Sequence, residues 1–353
     1  MAKTKSKNQK IGVGVIGVGI GKLHIQGYTE SPDAEVVAVC DLIEDKTKAI
    51  AAQYGIKKTC TDYKELLAMP GIDAVSVCVP NHLHAEMTIA AFEAGKHVIC
   101  EKPLAMNPKE GEAMVAASKK AGKLFMTAFN NRFRGDTQLL KKFIQDGELG
   151  DIYFAKTGWI RRKGIPGFGS WFTTKSKSGG GPLIDIGVHV LDLTLWLMGN
   201  PKAVTVSGST YAMFGPKGEG QGTWGTAEAG GGFDVEDLAA GFIKLENGAT
   251  LLLEASWASH IKGDMIYTNL MGTKGGAELD PLRIYKDMEG APVDITPICP
   301  DHGGGHLMEV MHFADCVANG KKLVSTGEHG LEIIRILDGI YKSARTGKEV
   351  VLK

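Results

Sequence analysis

Over its first 128 residues the chain alternates between two periods, and this alternation restricts the fold more than any other feature. Short runs rich in β-branched and small apolar residues occur at Ile11–Ile16, Val36–Cys40, Ala74–Val79, His97–Cys100 and Leu124–Ala128. Helical patterns fill the gaps, at roughly 20–30, 44–54, 62–68, 82–94 and 108–121. Asn107-Pro108 opens the last of these. Asn can accept from free helix N–H groups there, and Pro is already set to a helical φ. Strands with no polar face need cover on both sides, and a helix after each strand supplies it. A doubly wound parallel sheet over 11–129 follows.

After about residue 130 the texture changes. A helix near 136–147 and a strand near 151–160 precede a loop rich in Gly, Lys and Arg, RRKGIPGFGSWFTTKSKSGGG. A strongly apolar helix follows at Leu183–Met198. The runs KAVTVSGSTYA, DLAAGFIKLE, ATLLLEASWA, DMIYTNLMG and AELDPLRIY then succeed one another between about 202 and 286. Asn247-Gly248 is a hairpin signal between two of them. Strands in succession without helices imply a mostly antiparallel open sheet. Helices at about 305–319 and 328–345 close the chain. The fold class expected is α/β. It has an N-terminal Rossmann domain and a C-terminal α+β domain over 130–353 for substrate and oligomer contacts, whose last helix packs back on the Rossmann domain. Residues 1–10, MAKTKSKNQK, read as a disordered basic tail. The glycine-rich segment 215–232 reads as a mobile loop with no assigned role.

Charge and cysteine usage exclude several classes. Lys+Arg and Asp+Glu both number 40, so the basic face that nucleic acid requires is not expected. No apolar run approaches the length of a membrane span, and no signal-type segment follows the N-terminal lysines, so a cytoplasmic protein is expected. Six cysteines form no C-x-x-C pair, and Cys40, Cys78 and Cys100 lie in apolar runs, as reduced buried thiols would.

The stretch IGVGVIGVGIGKLH, residues 11–24, contains G-x-G-x-x-G at Gly12, Gly14 and Gly17. A phosphate cradle needs its glycines where a strand ends and a helix begins, with free N–H groups facing the pyrophosphate. Gly12 and Gly14 fall inside the strand. The cradle is therefore expected one step later, over Gly17, Val18, Gly19, Ile20 and Gly21, as a tightened G-x-G-x-G. Asp41 ends the second strand, 24 positions after Gly17. A carboxylate there can bind both ribose hydroxyls of NAD and would repel the 2′-phosphate of NADP, so NAD is expected rather than NADP. The alternative for Asp41 is a cap on the next helix.

Three further segments fall at carboxyl ends of strands or in the second domain: CVPNHLHAEM (78–87), CEKPLAMN (100–107) and GGGPLIDIGVHVLDLTLWLMG (179–199). Together they resemble the glucose–fructose oxidoreductase, inositol dehydrogenase and MocA-like family across nearly the whole chain. Glu101-Lys102-Pro103 is similar to that family's signature tripeptide. Asn130-Asn131-Arg132-Phe133 resembles the segment opening its second domain. Asp185-x-x-x-His189 with Asp192 and Trp196 resembles its catalytic helix, and MGTKGGAEL (271–279) a recurrent strand pair. The shortened glycine loop departs from the pattern, and the loop 161–171 lies where members differ. The resemblance implies cofactor contacts from Val79, Pro80, Asn81, His84, Glu101, Lys102 and Asn130. It also implies catalysis by Lys102, Asp185 and His189, and a homodimer or homotetramer. The open sheet, with one face to cover, agrees with the last.

The chemistry of these residue types points the same way. Oxidising a secondary alcohol sends a hydride to nicotinamide and a proton to a base that titrates near neutrality, which suits His189. Asp185, four residues earlier, shares its helical face and would assist proton transfer or hold a substrate hydroxyl. Lys102 would donate to the reacting oxygen. A surface ion pair is the plain alternative for Asp185 and His189, but Leu183, Ile184, Val188, Leu191, Leu195 and Trp196 crowd the same helix. His306, Glu309 and His312 form H-x-x-E-x-x-H, which lacks the H-E-x-x-H pattern, and no metal is expected. Trp159, Arg161, Arg162, Phe168 and Trp171 suit either a polyhydroxylated substrate or an oligomer contact. The function expected is an NAD-dependent dehydrogenase of a sugar, sugar derivative or cyclitol. One alternative retains and recycles the cofactor for elimination, hydrolysis or sugar-to-sugar hydride transfer. Another is a nicotinamide-binding regulatory protein.

Overall fold

The structure is a computed structural model that describes residues 10–299 and 304–352. The basic segment 1–9 lies outside the described residues. In chain order the elements begin β1 (Ile11–Ile16), α1 (Gly21–Glu30), β2 (Ala34–Cys40), α2 (Glu44–Tyr54), β3 (Lys58–Cys60) and α3 (Tyr63–Ala68). They continue with β4 (Ala74–Val77), α4 (His84–Glu93), β5 (His97–Glu101), α5 (Pro108–Ala121), β6 (Phe125–Ala128), α6 (Gly135–Gln145) and β7 (Ile152–Ile160). Next come α7 (Lys175–Ser178), a π-turn at Leu183–Gly187, α8 (Val188–Leu197) and β8 (Ala203–Tyr211). The chain ends with β9 (Leu238–Leu245), β10 (Thr250–Ser256), β11 (Met265–Gly272), β12 (Gly276–Leu279), β13 (Arg283–Met288), β14 (Ala291–Ile295), α9 (Gly305–Asn319), α10 (Gly327–Thr346) and β15 (Val350–Val351).

The described residues form two compact units, one of 10–104, 109–133 and 304–328, the other of 105–108, 134–299 and 329–352. The first unit holds a six-stranded sheet in the order β3-β2-β1-β4-β5-β6, every neighbouring pair parallel. This is a Rossmann sheet, and its order reverses between β1 and β4, where ligands bind in such folds. Strand β1 is buried along its whole length, which explains its unbroken apolar pattern. Strand β3 has no such pattern. Lys58 and Thr59 are exposed on this edge strand, so no apolar run marks it.

Helix α9 belongs to the first unit. Gly27 on α1 permits its close approach, since a Cβ there would stand 2.8 Å from Cβ of Val310. Val310, Phe313 and Ala314 join Ile25, Tyr28 and Phe133 in one core. The penultimate helix thus returns to the Rossmann unit, and so do the first two residues of the last, Gly327 and Glu328. From His329 on, α10 belongs to the second unit, where Ile340 fills the space over Gly208 and Gly241, glycines of β8 and β9.

The second unit is built on a nine-stranded sheet ordered β14-β13-β12-β11-β7-β10-β9-β8-β15, antiparallel except for the β7–β10 pair. The π-turn and α8 pack on β7, β10 and β11. The expected helix Leu183–Met198 is thus a π-turn followed by α8, and it is buried nearly all round. Taken as one run, Lys175–Leu197 has the length and mean hydropathy of a membrane span, contrary to the sequence expectation. The glycines 179–181 divide this run in the sequence. Burial of 89% of its apolar window inside the unit accounts for its composition.

His97 generates a stability prediction. It starts β5, and its Nδ1 accepts from the Leu124 N–H at 3.1 Å. Burial, and secondarily the charge of Lys123, push its pKa from 6.5 down to about 4. A depressed folded-state pKa means that the unfolded chain binds the proton more readily. The contribution is therefore complete above pH 6.5 and is lost as pH falls toward 4. His97→Asn keeps an acceptor for Leu124 and removes the titration. The expected outcome is a shallower fall of Tm between these pH values, measured by circular dichroism.

Candidate active site

In the first unit the glycine turn follows β1. Gly17 takes φ +86°, and a Cβ on it would lie 2.2 Å from the carbonyl oxygen of Cys78. A side chain is excluded there by both conformation and space. A Cβ on Gly21 would stand 3.0 Å from Val15 Cγ1, so this glycine lets α1 sit against β1. At Gly19 no atom lies within 4 Å of the Cβ position, leaving its backbone open to a ligand. Ile20 is the N-cap of α1, with no side-chain cap and no acid in the first helical turn. Tight turn, open approach and close helix packing are the three tasks of glycines in a dinucleotide loop, and the bare helix end suits a pyrophosphate. Gly12 and Gly14 do other work. Cβ atoms there would meet the Gly71 carbonyl oxygen at 1.8 Å and Leu66 at 2.4 Å.

Asp41 stands beside this turn. Its Oδ2 accepts from the Val18 N–H and its Oδ1 from the Ile43 N–H, both at 3.0 Å. Helix α2 has Ile43 as its N-cap, so Asp41 is not the helix cap that was the alternative. Val79, Pro80 and Asn81 follow β4. His84 is fully buried, with Nε2 2.8 Å from the Val79 carbonyl oxygen and Nδ1 2.7 Å from that of Pro103. It ties the loop after β4 to the loop after β5. With no accessible surface, its ring shapes these two loops. Burial pushes its pKa down.

Glu101 ends β5, is 6% exposed, and accepts the Lys102 N–H through Oε2 at 3.1 Å. Asn130 Nδ2 lies 3.3 Å from His306 Nδ1. Asn130 Oδ1 is buried without a hydrogen-bond partner among the described residues. An orphaned amide oxygen suits a ligand donor such as a carboxamide NH₂. The turn, Asp41 and this oxygen together fit a nicotinamide dinucleotide. The H-x-x-E-x-x-H residues diverge on α9. His306 meets Asn130, Glu309 is buried near His24 and Glu101, and His312 Nε2 accepts from the Val324 N–H at 3.1 Å.

The second unit assembles its own cluster. Asp185 lies in the π-turn, 7% exposed, and its Oδ2 accepts from Trp257 Nε1 at 3.0 Å. His189, in the first turn of α8, has its ring 5.8 Å from that of Trp159. The Arg161 guanidinium lies 5.1 Å from the Trp159 ring and 5.3 Å from that of Trp224. The segment 215–232 is stitched to the 161–171 loop by main-chain bonds between Gly222 and Ile165, Gly167 and Trp224, and Glu228 and Phe168. At Gly231 a Cβ would lie 2.0 Å from the Gly169 carbonyl oxygen, so glycine permits this contact. The segment is a paired strap, not a free loop.

Sequence reasoning missed the residues that hold this cluster. Glu236 accepts the Gly181 N–H at 2.9 Å, the Leu183 N–H at 3.1 Å and the Tyr341 hydroxyl at 2.8 Å. It fastens the backbone that leads into Asp185, and burial pushes its pKa up. Asp237 Oδ2 accepts the N–H groups of Phe214 and Gly215, at 2.6 and 3.0 Å, at the start of the strap. Glu236-Asp237 is a plain acidic pair before a strand, and nothing in its spacing singles it out. Trp257 lies near the end of the ATLLLEASWA run, but its tie to Asp185 is tertiary.

Two family models cover this chain. Residues 11–129 match the oxidoreductase family with an NAD-binding Rossmann fold, and residues 141–352 match that family's C-terminal alpha/beta domain. The chain belongs to the Gfo/Idh/MocA oxidoreductase family. It is an enzyme of the oxidoreductase class with an NAD-binding domain. It is 36% identical to D-glucoside 3-dehydrogenase of Escherichia coli K12, over 99% of this chain and 100% of that one. It is 31% identical to scyllo-inositol 2-dehydrogenase (NAD(+)) of Bacillus subtilis 168, over 96% and 95%. A solved levoglucosan dehydrogenase complex with NADH and levoglucosan is 28% identical, with a TM-score of 0.85 over 98% of this chain and 100% of that one.

The two kinds of glycine separate by experiment. Gly14→Ala is expected to cost about 1–3 kcal/mol of stability by overpacking, read from chemical denaturation, with dinucleotide affinity little changed in the folded fraction. Gly19→Ala is expected to leave Tm within about 1–2 °C, since such open sites cost little, while dinucleotide binding weakens in calorimetry.

Proposed function

We propose that this enzyme is an NAD-dependent dehydrogenase that oxidises a secondary alcohol of a sugar, sugar derivative or cyclitol. The observation that carries the proposal is the buried Asp185, fastened by Trp257 one turn before His189. A carboxylate and an imidazole on one largely buried helix supply a proton acceptor and a partner for a polar substrate. Names of relatives acting on glucosides, levoglucosan and inositol support the substrate class.

When bound, NAD supplies the hydride acceptor at nicotinamide C4. In the proposed reaction the carbinol C–H electron pair leaves as hydride, and the hydroxyl proton passes to His189. Asp185 holds a neighbouring hydroxyl or assists that transfer. The Lys102 ammonium donates to the oxygen as it gains alkoxide character. Val18 through Ile20 bind the pyrophosphate. Asp41 binds the adenosine ribose and disfavours a 2′-phosphate. Val79, Pro80, Asn81 and Asn130 bound the nicotinamide end. Trp159, Arg161 and Trp224 form the substrate-facing wall.

The enzyme is proposed to work in the cytoplasm, in line with six cysteines that form no disulfide. It is proposed to be a homodimer or homotetramer. Support comes from the sheet face of the second unit that carries Phe242, Leu252 and Lys156 side by side, where Phe242 is 41% exposed. Light scattering of the purified protein checks the assembly.

The test follows NADH absorbance with NAD or NADP against glycosides, aldoses, anhydrosugars and inositols, after assay for retained cofactor. Reduction of NAD with one polyol supports the proposal. Bound cofactor with no net reduction points instead to recycled hydride. Lys102→Ala and His189→Ala are each expected to lower kcat by about 10²–10⁴-fold while calorimetric NAD affinity stays within a factor of about three. Normal turnover in both would refute the roles. Asp41→Ser is expected to raise the KM for NAD and to narrow discrimination against NADP.

A further inference from the structure

Behind Lys102 lies a buried polar chain that the proposed reaction does not use. His24 on α1 has no exposed surface. Its Nε2 lies 3.1 Å from Glu101 Oε1, and its Nδ1 lies 3.0 Å from Ser76 Oγ on β4. The Tyr28 hydroxyl, one turn further along α1, is 2.8 Å from the same Ser76 Oγ. Both Ser76 and Tyr28 are fully buried.

One assignment of protons satisfies these contacts. Burial drives the Tyr28 pKa far up, so its hydroxyl keeps its proton and donates to Ser76. Ser76 donates to His24 Nδ1, and the ring proton sits on Nε2 and donates to Glu101 Oε1. Burial works to raise the Glu101 pKa. The hydrogen bond from His24, with the nearby charge of Lys102, outweighs it and holds the carboxyl below its ordinary value. An ionised carboxylate in a dry site needs such donors. Its second oxygen binds the backbone N–H of Lys102.

We propose that His24 is a positioning residue for Lys102. Its Nε2–H fixes the Glu101 carboxylate, and Glu101 in turn fixes the main chain from which the lysine reaches the reacting oxygen. This rests on the role given to Lys102 under the proposed function. The chain also has a mechanical consequence. His24 lies one turn inside the helix whose N-terminus receives the pyrophosphate, so the cofactor turn and Lys102 share one rigid link. A network serving only the core would have no need to occupy the amide of the residue bearing the reactive amine.

The test compares the full-length wild type with His24→Met, which keeps volume and removes the donor, and His24→Gln, whose amide can still donate to Glu101. Four quantities are read: kcat on the polyol found in the screen, KM for NAD, Tm, and the rate of amine acylation at Lys102 by peptide mass spectrometry. His24→Met is expected to lower kcat about tenfold to a hundredfold, the scale of a small misplacement of a reacting group. KM for NAD should stay within about twofold, as expected when ground-state cofactor binding is untouched. Acylation of Lys102 should change while that of surface lysines does not. His24→Gln should restore kcat and labelling to near wild type. Wild-type kcat and labelling in His24→Met overturn the proposal. So does an equal loss in both variants that tracks a lowered Tm. Loss of activity on chelation with EDTA, reversed by a divalent cation, would make His24, Glu101 and Glu309 a metal site and overturn it as well. If His24→Met does not fold, Ser76→Ala removes the Nδ1 partner and is expected to shift Lys102 labelling and kcat in the same direction; no change in either refutes the link. A wild type that reduces no NAD defeats the proposed function, and the labelling readout still decides the positioning.

Discussion

At Gly17 one stretch of main chain passes so close to another that no side chain can stand between them. The Cys78 carbonyl oxygen occupies the place where a Cβ would go. Much of the first unit depends on that contact. It lets β1 turn sharply into α1 and sets the helix against β1 at Gly21. It leaves the helix N-terminus without a side-chain cap or an acid in its first turn. The same helix then carries His24 and Tyr28 inward to Ser76 and Glu101. One steric exclusion thus orients both an uncapped helix N-terminus and the buried polar chain carried by the same helix.

In the second unit the corresponding constraint is electrostatic. A helix buried nearly all round carries Asp185 and Asp192, and buried carboxylates persist only with donors. For Asp185 the donor is the Trp257 indole. The π-turn places that acid at the head of α8, and such turns recur at functional sites. Glu236 secures the preceding backbone by two hydrogen bonds and accepts a third from the Tyr341 hydroxyl. Support of this kind holds the Asp185 carboxylate in one place, as a fixed functional group requires.

The polar interior of the first unit follows the same rule with different residues. Tyrosine, serine, histidine and glutamate are aligned so that each proton has one acceptor. A network satisfied throughout stiffens its surroundings, whereas one missing member leaves an expensive gap. The glycine strap of the second unit is anchored at its start by the Asp237 carboxylate. Its main chain bonds directly to the 161–171 loop, with glycines where the two backbones come closest.

The sequence by itself determined the parallel sheet, the glycine turn, Asp41 and the stretches bearing Lys102, Asp185 and His189. These are local matters: apolar periodicity, the change from strand to helix, and residue types at short spacing. The weak edge strand β3 escaped because its residues bury little. Only the tertiary structure decided that Gly12 and Gly14 serve packing, that His84 ties two loops, and that α9 joins the first core. It also decided that Trp257 and Glu236 hold the helix of Asp185 and that His24 stands behind Lys102. Apart from the short tie of His84 to Val79, these contacts join residues well separated along the chain. Such contacts depend on which surfaces meet after burial, and spacing along the chain carries no record of that.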